Sequence, residues 1–323
     1  MNTLRGRRSA FPLSWDDGTG DGIVHDRDCQ LALWTIYELS YRGFADVDPD
    51  LEWDVEVVGL RRTLETRFER ELRSATRTRV TSQLDQEGNI GDIVLGMAAD
   101  DQGPRLSSYL RRQATADQMR EYLRERSVQQ LKESDPQAFL LPRMSGAAKV
   151  ALAEVQYDEF GAGRPEALHQ ALFAQTLAAV GLDPAYGAYV DQVSALSLAS
   201  ANVMSLFALN RRLVPVGVGH FAAFEASSST PSRRIAAGLE RLGLPDAIPY
   251  FDEHVEADAV HEQIAARDVC GAMVAEDPGV VGEIVFGAAC ALHLDELFAD
   301  ELLGRWHPAD GELVAGPLGG MAS

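Results

Sequence analysis

The chain is short of cysteine, long apolar runs and positive charge, and each shortage removes a class of function. Its three cysteines, Cys29, Cys270 and Cys290, lie far apart in 323 residues and form no CxxC pair. That excludes a disulfide framework and a thiolate zinc site, and leaves small core residues of a reducing compartment. The longest apolar stretch, near Ile284 to Leu292, is too short to span a bilayer. The basic start MNTLRGRRSAFPLSW has no apolar segment behind it, so the expectation is a cytoplasmic protein. Lys and Arg number 29 against 49 Asp and Glu, a formal net charge of −20. Such a field repels the phosphate backbone of nucleic acid and anionic membrane surfaces. Sustained β alternation with hairpin turns is missing as well.

What is present is helical periodicity. Trp53, Val57, Leu60, Leu64, Phe68 and Leu72 form one apolar stripe, with Arg and Glu on the other faces. Similar patterns, mostly closed by Gly or Pro, recur around residues 29–42, 117–132, 146–160, 165–180, 194–213, 218–227, 232–242, 251–274 and 280–303. The fold class is all-α. Residues 1–26 and 308–323 lack periodicity and are expected to be mobile ends. Residues 27–126 form an N-terminal helical segment, either an accessory layer or part of one bundle with residues 127–307. Every candidate functional residue falls after Arg126.

The segment His254-x3-Asp258-x2-His261 places two imidazoles and a carboxylate within roughly 60° of one helical face. These donors suit iron, manganese or zinc, and helical bundles build internal metal sites from them. Solvent-facing polarity is the competing reading, since Glu253, Glu256 and Glu262 are neighbours. In ALAEVQYDEFGAGRPEALH, Gly161 and Gly163 end one helix after Glu159, and Pro165 suits the first turn of the next, which carries His169. The tight turn brings Glu159 near His169. Read alone, Glu159 is also compatible with an exposed helix end, and His169 with a hydrogen-bonded core residue. Glu225 interrupts an apolar helix with Phe221 and Phe224, a costly place for a carboxylate unless it is paired or binds metal. His220, about 140° round that helix from Glu225, is expected to be structural or to stand behind the ligands. Glu154 and Asp158 share no face with Glu159 and are expected at the surface or behind it. Glu133, before Asp135-Pro136, is not selected by spacing.

In type and order, LKESDP, QYDEFGAGRPEALH, GHFAAFE and EHVEADAVHEQIA resemble the ligand-bearing segments of the haem-oxygenase-like di-iron oxidases and oxygenases, the iron-containing redox enzymes. The likeness covers about residues 127–269. It implies a haem-oxygenase-like helical bundle, here with additional N-terminal helices, and no haem. It implies two Fe(II) ions held by Glu133, Glu159, His169, Glu225, His254, Asp258 and His261, of which Glu159 is absent from some members. It implies O2 as co-substrate and a peroxo-di-iron(III) species able to oxidise a small organic molecule by C–H oxidation, desaturation, oxidative cleavage or N-oxygenation. Four carboxylates and two ferrous ions balance in charge, whereas the ionised cluster buried without metal would be prohibitively unfavourable. Phe173, Phe207, Phe221 and Phe224 are expected either to line the substrate slot or to be ordinary core. The expected partner is a small-molecule substrate; an external electron donor and a homodimer are left open. So are three alternatives: haem oxygenase, a non-catalytic iron-binding helical protein, and a di-metal hydrolase.

Overall fold

The computed structural model describes residues 22–99 and 106–307, with the side chains of Glu256, Asp258 and Ala259 excepted. The described residues contain no strand, in agreement with the all-α expectation. In chain order the helices are α1 (Arg27–Glu38), α2 (Val55–Leu84), α3 (Ile90–Ala99), α4 (Leu106–Arg112), α5 (Ala116–Gln130), α6 (Asp135–Ala138) and α7 (Gly146–Glu159). They continue with α8 (His169–Ala179), α9 (Ala195–Leu209), α10 (Val214–Arg241), α11 (Pro249–Gln263), α12 (Cys270–Glu276) and α13 (Val281–Trp306). The tail 308–323 and most of 1–26 lie outside the described residues. Within 22–26, Ile23 and Val24 are buried.

Local chemistry sets the helix starts. Asp26 accepts from the Cys29 N–H to open α1, Asp54 accepts from Glu56 and Val57 to open α2, and Thr115 with Gln118 forms a capping box on α5. Because α2 starts after Asp54, Trp53 drops out of the expected stripe onto a 3₁₀ turn and is 77% exposed, while Val57, Leu60, Leu64, Phe68 and Leu72 are buried. The two helices expected at 218–227 and 232–242 are one, α10, with Pro231 inside it. Proline removes a single backbone hydrogen bond there, and the hydroxyls of Ser227 and Ser228 turn back onto the carbonyls of Phe224 and Glu225. The helices α3 and α4 were not anticipated.

Two large apolar clusters fill the interior. One joins α1, α2, α5, α8 and α9, the other α3, α7 and the segment after α11, and α10 and α13 contribute to both. Helices α10 and α13 meet at glycines. A Cβ on Gly219 would stand 1.9 Å from the Ile284 carbonyl oxygen, and one on Gly287 would stand 1.9 Å from that of Val216. Of the N-terminal segment, α2 packs against α13 and α1 against α9, with the Arg73 guanidinium gripping both oxygens of Glu283. Past α11 the backbone widens into a π-helix, Ile264–Val269, before α12. All three cysteines are buried and free.

Candidate metal centre

Five separate pieces of chain deliver the candidate ligands to one buried place. Glu133 lies on the turn between α5 and α6, where Ser134 takes the left-handed conformation at φ 67°. Glu159 ends α7 and His169 starts α8. The link between them is left-handed at Gly161, Ala162 and Gly163. At Gly161 the turn tolerates no side chain, since a Cβ would lie 2.7 Å from the Leu168 nitrogen. This tight link brings His169 Nδ1 to 3.0 Å from Glu159 Oε2, as the spacing of the two glycines predicts. Glu225 comes from α10, and α11 supplies His254 and His261. Asp258 belongs to the same helix, but its side chain lies outside the described residues.

The six described side chains are all buried, each no more than 7% exposed. Their donor atoms fall into two groups, Glu133 with His169 and His254, and Glu159 with Glu225 and His261; within each, the atoms lie within 4.8 Å of one another. Glu159 joins the groups. One of its oxygens approaches His169 and the other lies 3.5 Å from His261 Nδ1, which is also 3.6 Å from Glu225 Oε2.

Neighbours fix the ring orientations. His254 Nδ1 donates to the Tyr250 carbonyl at 2.8 Å, turning Nε2 toward Glu133 at 3.4 Å. His261 Nε2 lies 3.3 Å from Asp158 Oδ2, turning Nδ1 toward Glu159 and Glu225. An outward hydrogen bond that frees the inward nitrogen is the usual support of a metal-ligating histidine. The Tyr250 hydroxyl donates to Glu133, 3.1 and 2.9 Å from its two oxygens, and Ser134 Oγ donates to Glu159 Oε2 at 2.9 Å. Behind the turn, Gln170 Nε2 donates to the Glu133 carbonyl and to Asp135, while its Oε1 accepts from Arg42.

The electrostatics and the hydrogen-bond geometry both ask for a cation. Burial alone raises a carboxyl pKa, yet the facing imidazoles of His169 and His261 hold Glu159 below the usual carboxylate range. Burial lowers the His261 pKa, but Glu159 and Glu225 outweigh it and push it up to about 11. Burial raises Glu225, with the charge of Glu159 adding to the effect and His261 opposing it. Positive charge is therefore stabilised among these carboxylates. His169 Nδ1 and His261 Nδ1 stand 3.0 and 3.5 Å from the two oxygens of Glu159 without well-aligned hydrogen bonds, so neither buried nitrogen is fully satisfied by the protein alone. The donor set, imidazole and carboxylate without thiolate, fits iron.

A cavity of about 100 Å³ adjoins Glu133 and His254, with Tyr122, Gln129, Gln130, His220 and Phe224 in its walls. Of the phenylalanines considered for a substrate slot, Phe224 lines this space, whereas Phe173, Phe207 and Phe221 are packed into the apolar clusters. His220 joins neither group; its ring packs on Phe207, and burial drives its pKa down to about 4. Sequence reasoning passed over Tyr250 and left Asp158 without a partner. Tyr250 sits four residues before His254, the spacing of one helical turn, which is the signal that could have drawn attention to it.

A family model described as iron-containing redox enzyme matches residues 120–296, just over half of the chain. The matched stretch contains all seven candidate ligands. Nitrosourea synthase from Streptomyces achromogenes subsp. streptozoticus is 30% identical over 160 residues, 49% of this chain and 34% of that protein. The chain thus spans about a third of the length of this curated relative.

Proposed function

We propose, from the premise that this chain belongs to the iron-containing redox enzymes, that it is a non-haem di-iron oxygenase that uses O2 to oxidise a small organic substrate. The fold is the all-α, haem-oxygenase-like bundle, and the protein is an oxidoreductase. The observation that carries the di-iron reading is the position of Glu159. Its two oxygens face two different histidines, one in each of two carboxylate–imidazole groups. Glu133, His169 and His254 would hold one iron, and Glu225 and His261 the other, with Asp258 added to the ligand set by the family resemblance alone. Glu159 would bridge the pair.

Two ferrous ions would supply the electrons that O2 needs and an oxidant strong enough for inert bonds, chemistry that side chains lack. The chain's own residues do the rest. Tyr250 and Ser134 orient Glu133 and Glu159, and Asp158 and the Tyr250 carbonyl keep the ligating nitrogens turned inward. The cavity beside Glu133 and His254 offers a place for the reacting part of a substrate, and the apolar clusters around it limit access by water. C–H oxidation, desaturation, oxidative cleavage and N-oxygenation all remain open outcomes. The partial likeness to a nitrosourea synthase makes a nitrogen-centred reaction the first to try. Haem is a poor fit, because a single axial histidine would leave most of the buried carboxylates and imidazoles gathered here without a role.

Anaerobic titration with Fe(II) and metal counting tests the assignment. The wild type should bind two irons and consume O2 when it is admitted, and His254→Ala and His261→Ala should each lose at least one iron. Two irons in both variants would remove these histidines from the ligand set. Turnover with Zn(II) and no O2 would replace the oxygenase reading with that of a hydrolase.

A further inference from the structure

All seven candidate ligands lie within residues 120–296, but the turn that carries Glu133 is gripped from outside that stretch, by Glu38 at the end of α1 and by Arg42 just beyond it. Arg42 Nη2 donates to Gln170 Oε1 at 2.8 Å and to the Leu131 carbonyl at 3.4 Å, and stands 3.6 Å from Asp135 Oδ2. Gln170 Nε2 carries the contact onward to the Glu133 carbonyl and to Asp135 Oδ1, both at 2.8 Å. Glu38 holds Lys132. One of its oxygens lies 3.5 Å from Lys132 Nζ and accepts from the Tyr186 hydroxyl at 2.6 Å, while the other accepts from the Arg42 backbone N–H. Leu131, Lys132, Glu133 and Asp135 are thus tied, directly or through Gln170, to two residues of the N-terminal segment. Ser134, in their midst, is left-handed at φ 67°, a conformation that a non-glycine residue keeps only where its surroundings over-determine it.

Resting on the di-iron reading, we infer that Arg42 is a positioning residue of the metal centre: acting through Gln170, it sets the turn that aims the Glu133 carboxylate, which makes the N-terminal segment part of the site. Buried ion pairs add little net stability over apolar packing, and an apolar contact would not fix the direction of a backbone carbonyl. Directional hydrogen bonds do. Because Gln170 directly follows His169 on α8, the same contact also sets the spacing between the donor atoms of Glu133 and His169. Partners behind the ligands commonly change metal affinity by a factor of about 10 to 100. Arg42 stands one partner further back, so the lower end of that range applies.

The test is anaerobic Fe(II) titration of the whole protein, with Mössbauer spectra of partly loaded samples to separate the two positions and amide hydrogen exchange on the metal-free samples. The Arg42 side chain is 46% exposed, so Arg42→Ala opens no cavity in the core. In R42A, iron at the Glu133–His169–His254 position should bind about tenfold more weakly, iron at the other position should keep its affinity, and the amides of residues 131–138 should exchange faster. Arg42→Lys keeps the charge without the fork and should recover part of the loss; it carries the same comparison should R42A fail to fold. Gln170→Leu should weaken the same position, and adding R42A to it should cost little more, since the two residues act as one unit. Unchanged iron affinity in R42A overturns the inference whatever the exchange shows. So do additive losses in the double variant, and so does equal weakening of both positions with a lowered metal-free urea midpoint, the mark of a general loss of fold. A wild type that binds no iron pair, with exchange at residues 131–138 still faster in R42A, sinks the di-iron reading and leaves the Arg42 contact standing as the hold on the turn. Two irons bound equally well by wild type and R42A do the reverse.

Discussion

The α10–α13 seam and the α11 arm both serve the candidate metal centre, and they are built on opposite terms. The seam is glycine against carbonyl, with Val216, Val218, Ile284, Val285 and Ala288 fully buried around it. The arm alternates the buried Tyr250, Phe251, His254 and His261 with the exposed Asp252 and Glu253, and runs into a π-helix at Ile264. π-segments occur frequently at functional sites. Dispersion and close contact hold the seam without any ligand, whereas the arm carries imidazoles whose inward nitrogens lack hydrogen-bond partners or face carboxylates. One wall is stable by itself and the other is completed by what it binds.

Gly287→Ala should produce the largest effect. Its new methyl would stand 1.9 Å from the Val216 carbonyl oxygen and 2.8 Å from the His220 nitrogen, both backbone atoms that cannot swing aside. The helices must separate, and a cost of about 3 kcal/mol or more is expected for overpacking of this kind. Urea unfolding measures it, and the loss should be the same with and without Fe(II). A loss seen only with iron present would mean that the seam owes its stability to the metal.

Much of this division was legible in the residues. Apolar periodicity identified α2, and the Gly161–Gly163 turn placed Glu159 against His169, because both depend on local sequence. Three things were not legible, each because tertiary contact overrides local preference. Pro231 reads as a break between helices, yet α10 continues through it against α13. The π-helix at Ile264–Val269 depends on how that segment beds onto α3 and α7. Glu133, on a turn with Ser134 left-handed, has no helical spacing to mark it and entered through family resemblance alone.

Iron itself should act on the arm. Fe(II) at a hundred times its dissociation constant stabilises the folded state by about 2.7 kcal/mol, and hydrogen exchange should slow in α11 more than in α13. Equal protection of both helices would break the distinction between them. The binding should also release protons. The folded His261 pKa lies above its ordinary value of 6.5, at about 11. Its proton therefore stabilises the metal-free fold fully below pH 6.5, and that contribution is lost as the pH rises through about 11. At pH 7 an incoming metal must displace this proton, so affinity should rise about tenfold per pH unit for each proton displaced. Calorimetry in buffers of different ionisation enthalpy counts the protons, and a count of zero at pH 7 would take His261 out of the coordination sphere.

Tyr250→Phe gives the smallest effect and the sharpest division, because it alters one contact between the arm and the rest of the molecule. The hydroxyl donates to Glu133, a buried carboxylate, while the ring lies 4.2 Å from His254, centroid to centroid. Phenylalanine keeps the ring and the backbone carbonyl that holds His254 Nδ1, and deletes the hydrogen bond alone. Hydrogen bonds to charged groups contribute about 1.5 kcal/mol or more, so iron at the Glu133–His169–His254 position should bind roughly tenfold more weakly. Iron at the Glu159–Glu225–His261 position should be unchanged, and so should the urea midpoint of the metal-free protein. Weakening of both positions by the same factor would show that Glu159 couples them into a single binding event. A fall in the metal-free midpoint comparable to that of Gly287→Ala would show that arm and seam are not separate sources of stability.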